Sequence, residues 1–493
     1  MNLGEIFAGV ALPEAIAPAL AALEIAGLDY DSRRVDQGFL FFAFPGARTD
    51  GRRFVRDALA RGAVAVASEF PPDDEALAAL WVRVEHGRHA LALASRNFYR
   101  RPDERIGLTG ITGTNGKTTT AYLIDSILRA AGRTTALVST IEYHLGGQVL
   151  PAVNTTPESL DLVRLFSSLE SAGGTNATME VSSHALALGR VFGLHFHTAV
   201  FTNLTRDHLD FHGTMEAYFA AKGQLFAGAG SPPPLFAVVN RDDDWARRLP
   251  FQPASKVLWY GLGQDADLYP RNVVTSFDGL RFEIHSGRLR FPVESPLIGT
   301  INVYNILAAC GAALSYDIPP EVVARGIAAL RAVPGRFERV DEGQPFAVVV
   351  DYAHTDDALR NTIAVARALN PKRVITLFGC GGDRDRTKRP LMGRAAAEGS
   401  DLVVLTSDNP RSEDPLAIMN DALVGIRRVD VPHIVEPERA TAIARAIQQA
   451  HEGDIVILAG KGHETYQVLK DRTIAFDDRV VAREVLRSYG YRK

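Results

Sequence analysis

Short continuous runs of apolar residues, each followed by a segment with apolar positions at helical spacing, recur along the chain and constrain its architecture more than any other feature. In the middle third these runs are TALVST (135–140), ATMEVS (177–182), AVFTN (199–203) and FAVVN (236–240). A strand with water on one face alternates apolar and polar residues, whereas a strand covered on both faces need not. Continuous runs joined by helices therefore predict a mostly parallel sheet with helices on both sides. The last third repeats the pattern in FAVVVDYA, VITLFGCGG, DLVVLTSD, HIVEP and DIVILAG, which predicts a second, doubly wound sheet. GFLFFAFPG (38–46), AVAVASE (63–69) and LWVRVE (80–85) suggest a smaller α/β unit at the start. Between 256 and 294 short alternating strands with SFDG and HSG turns predict an antiparallel patch, and two helical patterns (302–316 and 320–330) follow it.

One hydrophobic core stops growing at roughly 250–300 residues, so a chain of 493 residues requires about three domains. Breaks at Arg101-Pro102-Asp103 and at AVPGRFERV place the boundaries near 104 and 333. The expected organisation is α/β throughout: 1–104, a smaller N-terminal domain; 105–333, a P-loop ATPase-like central domain with an antiparallel patch; and 334–493, a Rossmann-like C-terminal domain.

Bulk composition excludes several classes. Fifty-four Lys+Arg against 58 Asp+Glu give a net charge of −4, which offers nucleic acid or an anionic membrane no bulk attraction. No stretch of ~20 residues is apolar enough to span a bilayer. The N-terminal segment carries Glu5 and no basic run, unlike a secretory signal. Cys310 and Cys380 are the only cysteines, too few for a disulfide framework, and both read as core residues. A cytoplasmic enzyme is expected. Lysine occurs only at 117, 222, 256, 372, 388, 461, 470 and 493, the other basic residues being Arg. A lysine that persists inside a motif here is a candidate for chemistry that an always-charged guanidinium cannot perform.

The strongest local signal is GLTGITGTNGKTTT (107–120), placed after a predicted strand and opening a helix. Gly113, Thr114, Asn115 and Gly116 would bring main-chain N–H groups close to phosphate oxygens at a helix N-terminus. Lys117 would reach the terminal phosphates, and the Thr118 hydroxyl suits Mg²⁺. The usual G-x-x-x-x-G-K-[ST] spacing is not met, because position 111 is Ile and the glycines fall at 110, 113 and 116. A nucleoside triphosphate, ATP or GTP, is the expected ligand.

This TGTNGKTT variant resembles the loop of the Mur ligase family, the ATP-dependent amide-forming enzymes of peptidoglycan synthesis, whose relatives include folylpolyglutamate synthases. The resemblance implies that a substrate carboxylate takes the γ-phosphoryl group of ATP and that an amine then attacks the acyl phosphate. Such chemistry asks for Mg²⁺ ligands and cations more than for a nucleophile. By resemblance, Glu180 in ATMEVSSHAL and His208 in TNLTRDHLDFHG help to hold the metal ions. Lys222 in MEAYFAAKGQLF is expected to be carbamylated by CO₂ and to support a second Mg²⁺. Asn305, expected at the start of a helix, matches the adenine-contacting Asn, and Arg336, Asp351 and His354 would close the last domain over ATP.

The resemblance extends to both substrates. Ser32 and the 46–49 loop match positions that contact a UDP group, and Asn154, Thr155, Thr156, Ser182 and Arg190 match those that hold a muramoyl-dipeptide. Where the family often has Gln two residues before this Arg, the chain has Leu188. DNPR, Asp408-Asn409-Pro410-Arg411, matches the signature of members that add meso-diaminopimelate. Arg411 could clamp its distal carboxylate, whereas the ammonium that ends L-lysine would be repelled. Arg384 joins this set, and Gly460 and Glu464 would receive the distal amine. Lys461, beside them, has no assigned role. The resemblance thus implies a monomeric ligase that uses ATP and Mg²⁺ to join meso-diaminopimelate to UDP-N-acetylmuramoyl-L-alanyl-D-glutamate. A lysine-adding member, a folylpolyglutamate-type ligase and an ATP-binding scaffold without turnover are the alternatives. Arg411, residues 1–104 and the set Lys117, Glu180, His208 and Lys222 argue against them in turn.

Overall fold

The computed structural model describes residues 1–46 and 49–492. Its sheets follow the predicted order. The first is four-stranded and parallel, β1 (Gly27–Asp29), β2 (Phe39–Phe42), β3 (Ala63–Ser68) and β4 (Trp81–Arg83), arranged in sequence order. The three-residue β1 is too short to leave a run in the sequence.

The central sheet has eight strands in the order β12-β11-β10-β5-β9-β6-β7-β8. They are β5 (Gly107–Thr112), β6 (Thr135–Val138), β7 (Glu142–Leu145), β8 (Gln148–Pro151), β9 (Asn176–Glu180), β10 (Thr198–Phe201), β11 (Phe236–Asn240) and β12 (Lys256–Tyr260). The β6–β7–β8 edge is antiparallel and the rest is parallel. Successive residues of one strand serve two cores. Val200 packs in the cluster of the helices Lys117–Ala130 and Thr300–Leu314, while Ala199 and Phe201 pack in the cluster on the other face. Burial on both sides is why these runs show no alternation.

Two expectations change here. Lys256–Tyr260 is not part of the antiparallel patch but pairs parallel with β11. Tyr260 is buried at its end and donates a hydrogen bond to the Phe201 carbonyl oxygen (3.1 Å). The antiparallel patch is the three-stranded sheet β13 (Tyr269–Ser276), β14 (Gly279–Ser286) and β15 (Leu289–Ser295). Asn305 lies in the second turn of Thr300–Leu314, inside the helix rather than at its start.

The last sheet has the order β16-β17-β21-β18-β19-β20, from β16 (Glu338–Val340), β17 (Ala347–Asp351), β18 (Val374–Cys380), β19 (Leu402–Ser407), β20 (His433–Val435) and β21 (Ile455–Ala459). Only β16 runs antiparallel. A small hairpin, β22 (Tyr466–Val468) with β23 (Thr473–Ala475), stands beside it. Among the described residues no helix is long and apolar enough to cross a membrane. Cys310 and Cys380 are buried in the cores, where burial pushes both thiols up to about 12.

Candidate active site

In an open parallel sheet, ligands gather beyond the C-terminal ends of strands where neighbouring connections diverge. β5 lies between β10 and β9, and its C-terminal end runs directly into the 113–116 turn. That turn depends on glycine at two positions. Gly113 has φ +146°, and a Cβ there would meet Thr202 Oγ1 at 1.9 Å; Gly116 has φ +87°, and a Cβ there would meet Asn305 Oδ1 at 2.5 Å. The turn is fastened from β10's loop, where the Asn203 carbonyl accepts from Thr114 N (2.8 Å) and its side chain accepts from Asn115 N (2.9 Å).

Two lysines converge on this turn. Lys117 Nζ donates to the carbonyl oxygens of Gly113 (3.0 Å) and Thr114 (2.8 Å), and Lys222 Nζ donates to the same Gly113 oxygen (2.7 Å). Lys222, in the helix Met215–Ala227, is 1% exposed and stands over the Tyr218 ring at 4.5 Å. Burial first, and Lys117 second, hold its amine well below the ordinary lysine value. Burial also lowers Lys117, with Glu180 and Asp207 opposing. Removal from water disfavours the charged form of both.

Glu180 ends β9 almost fully buried, and its two oxygens accept from Thr140 N (2.8 Å) and Thr140 Oγ1 (3.1 Å). His208 has a left-handed backbone (φ +53°) at the start of a short helical turn, Leu209–His212. Partial burial pulls its imidazole down against the opposing charge of Asp207. Thr118, Glu180 and His208 line one cavity with Lys117. Oxygen donors suit Mg²⁺, and among the described residues the buried Glu180 carboxylate accepts hydrogen bonds from Thr140 alone. Among the described residues no group of three or more His, Cys, Asp or Glu side chains is placed to hold a metal ion.

The same cavity is lined by Asn305, Arg336, Asp351 and His354. Arg336 donates to Thr118 Oγ1 (3.2 Å) and stacks over Tyr352 at 4.7 Å. Asp351, at the end of β17, is kept in place by Phe337 N (2.8 Å), Ala353 N (3.0 Å) and Thr362 Oγ1 (2.9 Å), and burial raises its carboxyl. Asp357, which the sequence did not single out, accepts from Asn115 Nδ2 (3.2 Å) and Thr205 Oγ1 (3.0 Å), tying the last sheet's first helix to the turn.

Four loops leave the C-terminal ends of β17, β21, β18 and β19, which are neighbours in the sheet. They bring Arg384, Asp408, Asn409, Arg411, Gly460 and Glu464 into a second cavity shared with His184, Arg206, Asp207 and His208 of the central domain. Arg411 has φ +52° and donates to the Gly382 carbonyl (2.8 Å); Arg384 reaches the Asp383 carbonyl (3.2 Å). Pro410 is buried behind them. Gly460, at φ +115°, leaves room for Asp408, whose Oδ2 would lie 2.9 Å from a Cβ there.

The remaining positions are more dispersed. Thr155 and Ser182 line the first cavity beside Glu180. Thr156 is fully buried and donates to the Glu180 carbonyl (2.8 Å) while accepting from Ser182 N (3.1 Å), a bracing position. Asn154 is exposed and bonds Tyr143 Oη through its main chain. Arg190 bonds Glu158 (3.0 Å) and the Thr156 carbonyl (3.0 Å), and Arg88 of the first domain reaches the same Glu158 oxygen (2.5 Å). Ser32 is buried in the 3₁₀ turn Ser32–Arg34, away from both cavities. Of the 46–49 loop, residues 47 and 48 lie outside the described residues.

Three family models match the chain. Residues 24–99 match the Mur ligase family catalytic domain, 111–313 the Mur ligase middle domain, and 335–462 the Mur ligase glutamate ligase domain. The chain is 74% identical over 493 residues to the UDP-N-acetylmuramoyl-L-alanyl-D-glutamate–2,6-diaminopimelate ligase of Solibacter usitatus, covering 100% of this chain and 99% of that protein. It is 45% identical over 471 residues to the ligase of the same name from Geobacillus kaustophilus, covering 95% and 96%. A solved structure of a ligase with that name superposes with a TM-score of 0.71 at 34% identity, covering 99% of both chains.

Proposed function

The chain belongs to the Mur ligase family, and from that premise we propose that it joins meso-diaminopimelate to UDP-N-acetylmuramoyl-L-alanyl-D-glutamate at the expense of ATP. One observation supports this reading most. The cavity lined by Arg384, Arg411 and Glu464 is continuous with His208 and Asp207, which also line the Lys117 cavity. An amine held at the first set can therefore reach a carboxylate activated at the second.

Residues 1–104 take the UDP group, through Ser32 and the 46–49 loop; 105–333 bind ATP; 334–493 deliver the amino acid. The 113–116 turn and Lys117 hold the phosphates, and Asn305 and Arg336 flank the nucleotide. Asn154, Thr155, Ser182 and Arg190 orient the dipeptide, with Thr156 bracing Ser182 and Glu180. A carboxylate of the dipeptide attacks the γ-phosphorus and displaces ADP, giving an acyl phosphate. The amine then attacks the acyl carbon, and phosphate leaves as the amide forms. Closure of the last domain over the bound substrates would exclude water, which would hydrolyse the acyl phosphate. Thr118, Glu180, His208 and carbamylated Lys222 would hold Mg²⁺, which supplies charge neutralisation at the phosphates.

The lowered pKa of the Lys222 amine supports carbamylation there. Its neutral amine attacks the carbon of CO₂, an N–C bond forms as one C–O π bond opens, and a proton is released. The product is an anion beside the Lys117 amine and the Gly113 carbonyl. Arg384 and Arg411 take the distal carboxylate of diaminopimelate, while Glu464 and the Gly460 turn take its distal amine. The groups proposed for both cavities come from one chain, consistent with a monomer acting in the cytoplasm.

The test supplies the protein with ATP, Mg²⁺ and the UDP-muramoyl-dipeptide, adds either meso-diaminopimelate or L-lysine, and follows phosphate release. Release with diaminopimelate alone is expected. No release with either amine would overturn the ligase reading, and release with lysine alone would overturn the choice of amino acid.

A further inference from the structure

Lys461 is 0% exposed, yet it sits between two carboxylates that line the second cavity. Its Nζ donates to Glu464 Oε2 (3.0 Å) and to Asn409 Oδ1 (3.3 Å), and lies 3.8 Å from Asp408 Oδ1. Asn409 completes the arrangement: its amide nitrogen donates to the same Glu464 Oε2 (2.9 Å), and its oxygen also accepts from Val468 N (2.9 Å). Among the described residues, Glu464 Oε1 receives no hydrogen bond, and Glu464 lines the cavity.

We propose that Lys461 is a positioning residue for the incoming amino acid: it holds Glu464 by one oxygen, leaving the other to accept the distal ammonium, and sets the local charge. This rests on reading the cavity as the diaminopimelate site. Asp408 and Glu464 contribute two negative charges and Lys461 one positive, so the cluster carries −1 before substrate arrives and 0 once one ammonium enters. Without Lys461 the buried Asp408 and the half-buried Glu464 carboxylates would face each other uncompensated, and Glu464 would lose one of its two anchors. Lysine suits the place because a compact ammonium can serve Glu464, Asn409 and Asp408 from one atom, which a planar guanidinium cannot.

The experiment begins with wild-type turnover of diaminopimelate, so that failure of the functional reading is seen first. Steady-state constants and melting temperatures are then measured for Lys461→Met, Glu464→Gln and the double variant. Lys461→Met is expected to raise KM for diaminopimelate at least about tenfold, with KM for ATP and for the UDP-dipeptide within about twofold of wild type. In the Glu464→Gln background the same substitution should raise it less than about threefold, because the group it positions is already altered. Multiplicative effects, or equal rises in all three KM values, would overturn the proposal. If Lys461→Met does not fold, Lys461→Gln keeps a donor but not the charge and should still raise KM for diaminopimelate selectively; an unchanged KM would overturn it.

Discussion

Lysines are buried or half-buried at both cavities, in opposite surroundings. At the 113–116 turn, Lys117 and Lys222 donate to a single carbonyl oxygen, and among the described residues neither amine is hydrogen-bonded to a carboxylate. Beside the second cavity, Lys461 lies between Asp408 and Glu464, a local excess of negative charge. In the proposed reaction the first arrangement would be completed by anions, the phosphates of ATP and a carbamate at Lys222. The second would be completed by a cation, the distal ammonium of the amino acid. A buried charge is costly unless compensated, so what each cavity lacks shows what each should bind.

The most severe way to break this comparison is Lys222→Arg, which keeps a long basic side chain but cannot be carbamylated. Loss of a group that stabilises developing charge typically costs on the order of 10²–10³ in kcat, and that loss is expected here with KM for diaminopimelate unchanged. A kcat within a few-fold of wild type would mean that the anion is not needed.

Arg411→Ala probes the other cavity. A hydrogen bond to a charged group contributes about 1.5–3 kcal/mol, so KM for diaminopimelate should rise by roughly ten- to a hundredfold, with ATP binding by calorimetry unaffected. Equal losses for both ligands would point to a general structural role for Arg411.

Asp357→Ala sharpens the boundary between the two regions. It removes one hydrogen bond to Asn115 of the ATP turn and one to Thr205 of the loop after β10, and should weaken ATP binding by about 1 kcal/mol, or roughly fivefold. Diaminopimelate binding to the other loops should stay as it is; a larger effect there would show that the cavities are coupled through this helix.

The smallest effect concerns stability and pH. Burial holds the Lys222 amine well below its ordinary value. Between that lowered value and about 10.4, the unfolded chain binds a proton that the folded chain does not. Stability from this group therefore rises with pH across the window. In CO₂-free buffer the melting temperature of Lys222→Met should climb more slowly with pH than that of wild type. Parallel slopes would mean that the buried amine stays protonated.

Much of the architecture was legible because buried parallel strands leave continuous apolar runs. What escaped were elements with little burial or length: the three-residue β1, the exposed β8 and the antiparallel edge β16. Lys256–Tyr260 misled because it directly precedes the alternating strands in the chain. Only pairing with β11 places it in the parallel sheet. The glycine turn was readable since close approach of main chain to phosphate demands small residues at set spacing. Asp357 and Lys461 were not, because their partners lie 242 and 152 residues away for one and, for the Asn409 bond of the other, 52 residues away.

The sequence by itself determined the serial α/β organisation, the phosphate turn and the residue types available for chemistry. These depend on local periodicity and on spacing within a few residues. The tertiary structure decided which lysine faces a carbonyl and which faces carboxylates, and that the loops after β17, β18, β19 and β21 meet the His208 loop. Charge balance at a buried site is a sum over atoms brought within a few ångströms by strand order, and strand order is written in no single stretch of the chain.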